Sequence, residues 1–271
     1  MTEVVVWFDD SPCLDLRVSG GKGASLAAMA AAGLNVPPGF VVRADVMASL
    51  VDAEALRACA RELDWAAAQK LVGACRPPRE QIGLAYDRLG GSVAVRSSAC
   101  AEDSEEASFA GQQETFLEVE GAEDVCDRVV ECWASFFSER ALFYRSQKGS
   151  LDDLDMAVVV QRMIDAEKSG VLFTVDPVAR RRDRLLVEAV FGLGEQVVSG
   201  EVTPDHYIVD RNGHVKTERL VHGGVLTAEE LKTLVTAGTS LEERFGGPQD
   251  IEWAIVGDSL FLLQSRPVTT L

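Results

Sequence analysis

Long apolar runs are missing from this 271-residue sequence. Stretches such as Met156–Val160 and Val171–Val175 fall far short of the roughly 20 residues a membrane-spanning helix needs, so no span is expected. Basic charge is scarce as well. The 26 Lys and Arg residues face 43 Asp and Glu, a net charge of −17, which argues against a surface built to coat nucleic acid or lie on anionic lipid. Any phosphate this chain binds must be met by local cations. Histidine is rare: His206, His214 and His222 show no metal-ligand spacing with the cysteines, and no Gly-x-Ser-x-Gly elbow exists to pair with them. Six cysteines never form a Cys-x-x-Cys pair, and a chain of this length needs no disulfide staples, so reduced, mostly buried thiols are expected. Residues 1–10 carry acids where a signal peptide would carry bases, which sets a cytoplasmic expectation. Fixed-period repeats, low-complexity tracts and Pro/Gly/Ser-rich linkers are also absent.

What is there is globular: 47% apolar and 25% charged residues, enough to bury a sizeable core. Strands are expected at 4–8, 40–42, 92–96, 115–119, 156–161, 170–175, 184–190, 250–255 and 259–264, the last two joined by Gly257-Asp258. Helical spacing covers Ala24–Ala32, residues 45–75, a stretch ending at Leu89, residues 122–145 and residues 227–245. A long loop is expected over 97–113. The class is therefore α+β, with a lobe boundary expected near 93/94, giving lobes 1–93 and 94–271 of a single unit.

Three segments suggest phosphate chemistry. Gly20-Gly21-Lys22-Gly23 precedes a helix, where glycines let backbone N–H groups approach an anion beside an ammonium; taken alone, a plain Gly-rich helix cap is the commoner reading of such a run. It is no Walker A loop, because Leu16 and Gly23 stand where that motif needs Gly and Ser/Thr. Gly192-x-Gly194 follows a strand, but Val197 occupies the third glycine position of a dinucleotide fingerprint. Arg96 ends a strand and is followed by a Ser- and Gly-containing loop, and its fork suits phosphate oxygens. Across the final two strands, Glu252 and Gln264 can offer oxygens to one hard cation, with Arg266 on the phosphate it touches; a polar hairpin with an edge ion pair is the alternative.

Taken in order, Gly-Gly-Lys-Gly-Ala-Ser-Leu at 20–26, Val-Pro-Pro-Gly-Phe-Val-Val at 36–42, Val-Arg-Ser-Ser-Ala at 95–99, residues 102–117 and Gln-Ser-Arg-Pro-Val-Thr at 264–269 resemble one family. It is the ATP-binding domain of the phosphoenolpyruvate synthase and pyruvate phosphate dikinase family, which includes rifampin phosphotransferases. Residues 136–141, 170–174, 192–195 and 202–205 fit as well, so the likeness covers nearly the whole chain.

The resemblance implies an ATP-grasp-like fold whose two lobes enclose a nucleotide cleft for ATP and Mg²⁺. It implies that Lys22 and Arg96 contact the phosphates and that Gly111, Gln112 and Thr115 belong to a loop closing over them. Gln161, Arg162 and Met163 match the segment lining the adenine pocket, and Glu188 a ribose or phosphate-side contact. Glu252 and Gln264 match the Mg²⁺ ligands, and Arg266 the residue that stabilises charge on the transferring phosphoryl group. Lys22, Arg96 and Arg266 are thus the expected catalytic residues.

Members of this family pass phosphate to a histidine on a swivelling domain, and none of the three histidines here has the Thr-Ser-His setting of that carrier. The expected function is the nucleotide-binding part of a phosphotransferase that cleaves Mg·ATP to AMP. A phosphohistidine carrier would act in trans, or in cis in a longer protein, and would serve a small-molecule acceptor. A self-contained kinase or ligase releasing ADP, and a non-catalytic nucleotide-gated module, are the alternatives. No nucleic-acid or membrane partner is expected.

Overall fold

A computed structural model describes residues 3–100, 114–194, 200 and 202–269. Its contacts divide the chain into two units, Met1–Ala28 with Pro38–Met163, and Met29–Pro37 with Ile164–Leu271. Residues 93 and 94, where the sequence suggested a lobe boundary, lie in the first unit within a strand paired on both sides.

Valine-rich segments make the strands of the first unit, as β-branched side chains favour a pleated, half-buried surface. They are β1 (Val5–Trp7), β2 (Gly39–Val42), β3 (Val93–Ala99), β4 (Thr115–Val119) and β5 (Met156–Arg162), in the antiparallel order β1-β2-β5-β3-β4. Helices α1 (Leu16–Ala31), α2 (Asp45–Leu50), α3 (Ala53–Arg61), α4 (Trp65–Gly73), α5 (Arg79–Leu89), α6 (Ala122–Ser135) and α7 (Glu139–Lys148) lie between them in sequence. One sheet face, carrying Phe40, Val42, Val95, Val158 and Val160, buries itself against Leu56, Ile82, Val129 and Trp133 from the helices.

Two helices expected as single rods are broken, and side-chain caps explain both. Over 45–75 the chain forms α2, α3 and α4. The Asp52 carboxylate accepts from the N–H groups of Glu54 and Ala55, each at 3.1 Å, and that of Asp64 from Ala67 N–H at 3.0 Å. Each acid competes with helix continuation by capping a new start. Over 122–145 the aromatic spacing continues, but Ser138 Oγ caps α7 by accepting from Ala141 N–H, and Arg145 donates to Phe136 O from above the Phe136 ring at 3.8 Å. The first helix starts earlier than Ala24, at Leu16, with a break at Gly20.

The second unit holds β6 (Lys168–Phe173), β7 (Arg184–Phe191), β8 (Asp205–Asp210), β9 (Val215–Arg219), β10 (Gln249–Val256) and β11 (Ser259–Pro267), in the antiparallel order β11-β10-β6-β7-β8-β9. Helix α8 (Ala228–Phe245) is opened by a reciprocal capping box between Thr227 and Glu230. It lies against the face bearing Leu172 and Thr174, and a Cβ added to Gly238 would come within 2.6 Å of Leu172. Gly170 is required on β6 for a similar reason, since a Cβ there would meet Glu188 O at 1.8 Å. With two antiparallel sheets and segregated helices, the class is α+β. Among the described residues no helix is long and apolar enough to cross a membrane.

Candidate functional site

In the first unit, β3 is the organising strand. Arg96 is the Cα partner of Val159 on β5 and of Thr115 on β4, while Ala94 is the partner of Gln161. Direct partners, and residues two apart on one strand, share a face. Arg96, Thr115 and Gln161 therefore stand on one side of the sheet, opposite the helix-packed core. Arg96 is only 8% exposed and Gln161 is buried, whereas Thr115 is exposed.

Lys22 arrives at the same strand from α1. Its Nζ donates to Ser97 O at 2.9 Å, adjacent in sequence to Arg96. The approach depends on Gly20, whose φ of +66° breaks the helix and whose missing Cβ would lie 2.1 Å from Ser98 O. Arg162 alternates to the other face, is exposed, and donates to Leu89 O, so the structure does not group its side chain with Gln161. Met163 follows β5, half-buried, with its N–H donating to Ser92 O at 2.9 Å. Gly111 and Gln112 lie outside the described residues.

In the second unit the predicted residues fall in a file across the sheet. Gln264 on β11 is opposite Glu252 on β10, which is opposite Val171 on β6, then Glu188 on β7 and His206 on β8. All share one face, with Glu252 and Glu188 two strand spacings apart, roughly 10 Å. One step along the strands, on the same face, Asp250 is opposite Arg266.

Asp250 was missed by the sequence reading although it stands two residues before Glu252 on the same strand. Its Oδ2 accepts from Arg266 Nε at 2.8 Å and Nη2 at 2.7 Å. The Asp250 side chain is 9% exposed and that of Arg266 45%, so the pair is anchored at the carboxylate and open at the guanidinium. Burial pushes the Asp250 carboxyl above its ordinary value; Arg266 opposes that rise and Glu252 adds to it. The file thus combines two oxygen donors and a guanidinium held by a buried acid. Such a set can bind a hard cation and a phosphate side by side.

A second missed residue shapes the loop before α8. Asp205, on β8, is fully buried and accepts from four backbone N–H groups: Val221 and His222 on Oδ1, each at 2.6 Å, and Gly224 at 3.0 Å and Val225 at 2.8 Å on Oδ2. Burial alone would raise its pKa, but the four donors outweigh that and hold the carboxyl below its ordinary value. The sequence hint was only that Asp205 closes the run Val202-Thr203-Pro204-Asp205. Two of the three histidines have local polar contacts. His222 Nε2 lies 3.0 Å from Thr203 O, and His214 Nδ1 3.4 Å from Asp210.

Comparison with known proteins gives a family match and long alignments. The model of the pyruvate phosphate dikinase AMP/ATP-binding domain matches residues 16–223 and 214–271. A relative from Archaeoglobus fulgidus, described as "Probable phosphoenolpyruvate synthase", is 41% identical over 315 residues, covering 98% of this chain and 42% of the relative. A rifampicin phosphotransferase from Streptomyces sviceus is 41% identical over 302 residues, covering 94% of this chain and 35% of the relative. The chain thus spans less than half the length of either curated relative. Among solved structures, the D-alanine–D-alanine ligase of Bacillus anthracis complexed with ATP aligns with a TM-score of 0.40 and 10% identity, covering 94% of this chain and 54% of that one.

Proposed function

The chain belongs to the family of pyruvate phosphate dikinase AMP/ATP-binding domains, and from that membership we propose that it is the ATP-binding component of a phosphoenolpyruvate synthase/dikinase-like phosphotransferase. It cleaves Mg·ATP and passes phosphate to a histidine on a separate domain or polypeptide. AMP is the product, so two linkages break: the α–β bond, whose β-phosphoryl group ends on the histidine, and the β–γ bond, whose γ-phosphoryl group goes to water or a second acceptor. The phosphate then moves on to a small-molecule acceptor that the carrier serves.

The observation that carries this reading is the quartet on β10 and β11, where Glu252 faces Gln264 and Asp250 faces Arg266 on one side of the sheet. A carboxylate and an amide carbonyl as direct cross-strand partners fit Mg²⁺, which takes hard oxygen ligands; when bound, the ion neutralises charge on phosphate oxygens. Arg266 stabilises the charge that develops on the transferring group, and Asp250 fixes its fork. Lys22 and Arg96 hold phosphate oxygens, Gln161 and Met163 meet the adenine, and Glu188 meets the ribose or a phosphate. Thr115, at the start of β4 beside Arg96, meets the phosphates, as do Gly111 and Gln112, which lie outside the described residues. Arg162 belongs to the same adenine-lining segment at the end of β5, although its side chain donates to Leu89 O and its N–H to Pro38 O.

Phosphorus NMR of Mg·ATP with this protein, alone and then with the histidine-carrier domain of a phosphoenolpyruvate synthase, tests the proposal. AMP formed only when the carrier is present is the expected result. ADP from the chain alone would replace the reading with a direct kinase or ligase. ATP left intact in both samples would replace it with a nucleotide-gated binding module.

A further inference from the structure

A helix that restarts after a break leaves its first N–H groups without intrahelical acceptors, and an N-cap side chain ordinarily supplies the missing oxygen. In α1 the residue in the N-cap position of the restarted segment is Gly20, which has no side chain to offer. The oxygen comes instead from a distant strand. Ser98 Oγ accepts from Gly23 N–H at 3.3 Å, the third residue of the restarted helix, and donates to Ser19 O at 2.8 Å on the other side of the break. Ser98 is fully buried, and its backbone carbonyl lies where a Cβ on Gly20 would stand, so glycine at 20 and serine at 98 fit as a pair. One residue earlier on β3, Ser97 O accepts from Lys22 Nζ, and one before that is Arg96.

We infer that Ser98 is a positioning residue for ATP, capping the restarted helix from β3 so that Lys22 is delivered beside Arg96. The inference rests on the assignment of Lys22 to the ATP phosphates and adds to it a residue that touches no substrate. A hydroxyl serves better here than a cap from Gly20's own position, because a cap borne by β3 ties the helix start to the strand that carries Arg96. The spacing of the two cations then follows from one strand's register rather than from the course of the intervening 73 residues (96 − 22 − 1). A 1 Å error in such an arrangement is enough to cost of the order of 100-fold in rate, and misplacing a phosphate-binding ammonium weakens binding in the same sense.

The test is a double-mutant cycle on ATP affinity, measured calorimetrically with Mg·ATP on the chain itself well below its melting temperature. Ser98→Ala removes one oxygen and no carbon, so the buried site keeps its shape. It is expected to weaken ATP binding about tenfold in the native background and less than twofold in a Lys22→Met background, since an effect exerted through Lys22 has nothing to act on once the ammonium is gone. A purely structural role would lower the melting temperature but leave the affinity of the folded protein unchanged. Equal losses in both backgrounds, or no loss in either, overturn the inference while leaving the assignment of Lys22 intact. ATP affinity unchanged by Lys22→Met would instead sink the assignment of Lys22, and the inference with it. Should Ser98→Ala fold poorly, Ser98→Cys takes its place with the same expectation, because a thiol is a weak donor and acceptor at that distance.

Discussion

Replacing Asp205 by Asn keeps the size of the side chain and removes its charge, which makes the loop before α8 a sensitive place to test the reading of this carboxylate. In the native chain each oxygen receives two backbone N–H groups. Asn retains one acceptor oxygen, enough for Val221 and His222, and turns an NH₂ toward the N–H groups of Gly224 and Val225. Hydrogen bonds to a charged acceptor contribute roughly 1.5–3 kcal/mol each, and a buried donor left alone costs about 1–3 kcal/mol. Val225 is buried, whereas Gly224 is exposed and recovers most of its loss from water. The sum points to about 2–3 kcal/mol for Asp205→Asn at pH 7, and somewhat more for Asp205→Ala, which frees the four backbone donors and the Tyr207 hydroxyl, also a donor to Oδ2 at 3.3 Å.

Urea denaturation at fixed m-value measures this directly. The pH dependence adds a second check. The folded pKa lies below the unfolded one, so the carboxylate's stabilisation is present above the unfolded value of about 4 and is lost as pH falls through the folded value. The gap between native and Asn proteins should therefore begin to narrow below about pH 4, where the unfolded chain takes up its proton first, and close only once pH has fallen through the lower folded value. A variant within about 0.5 kcal/mol of the native chain at pH 7, or a gap that persists unchanged at pH 3, would refute the reasoning.

Further outcomes follow from the two sets of site residues and the core. Lys22→Ala, Arg96→Ala and Glu252→Ala should each remove ATP cleavage by about 100-fold or more while circular dichroism reports a folded chain, because each takes away a fixed charge or ligand at the phosphates. Arg266→Ala should cost about 100–1000-fold in kcat with a much smaller change in ATP affinity; comparable losses in both would point to a plain binding contact. Trp133→Ala, in the middle of the first unit's core, should lower stability by about 3–5 kcal/mol in a denaturant titration. Gly20→Ala should be more damaging to ATP binding than Ala at Gly33, where no neighbouring atom lies within 4 Å, and an affinity assay on both proteins checks this.

Much of this was readable from the sequence because it depends on local pattern. The short valine-rich apolar runs of β3 and β5, the apolar stripe of α6 and the Gly257-Asp258 turn all announce their elements. What was not readable depends on partners far away in sequence. β9 is exposed at all five positions, so no alternation marks it. The breaks in the helices over 45–75 and 122–145 come from acids and a serine whose capping role looks like ordinary helix surface until the chain turns. The register of the last hairpin is a sharper case. Counting out from its two-residue turn pairs Glu252 with Leu263, but an irregularity beside Glu252 shifts the ladder by one and puts Gln264 opposite it. The roles of Asp250, Ser98 and Asp205 escaped notice because each acts through backbone or through another side chain, and the runs at 95–99 and 202–205 that contain two of them do not say which partner each would meet.

Residues 29–37 belong with the second unit although the first unit's chain flanks them on both sides. Asn35 receives Leu262 N–H on its carbonyl at 2.9 Å and donates its amide to Leu260 O at 3.0 Å, so this short segment is stitched to β11. The chain therefore passes from one unit to the other three times, and no single scission separates them. A fragment beginning at Ile164 would leave Asn35 behind, and one ending at Met163 would carry off a strap whose anchor it lacks. Exchange of a half between relatives by one crossover would meet the same difficulty, which favours inheritance of the two units as a single genetic block.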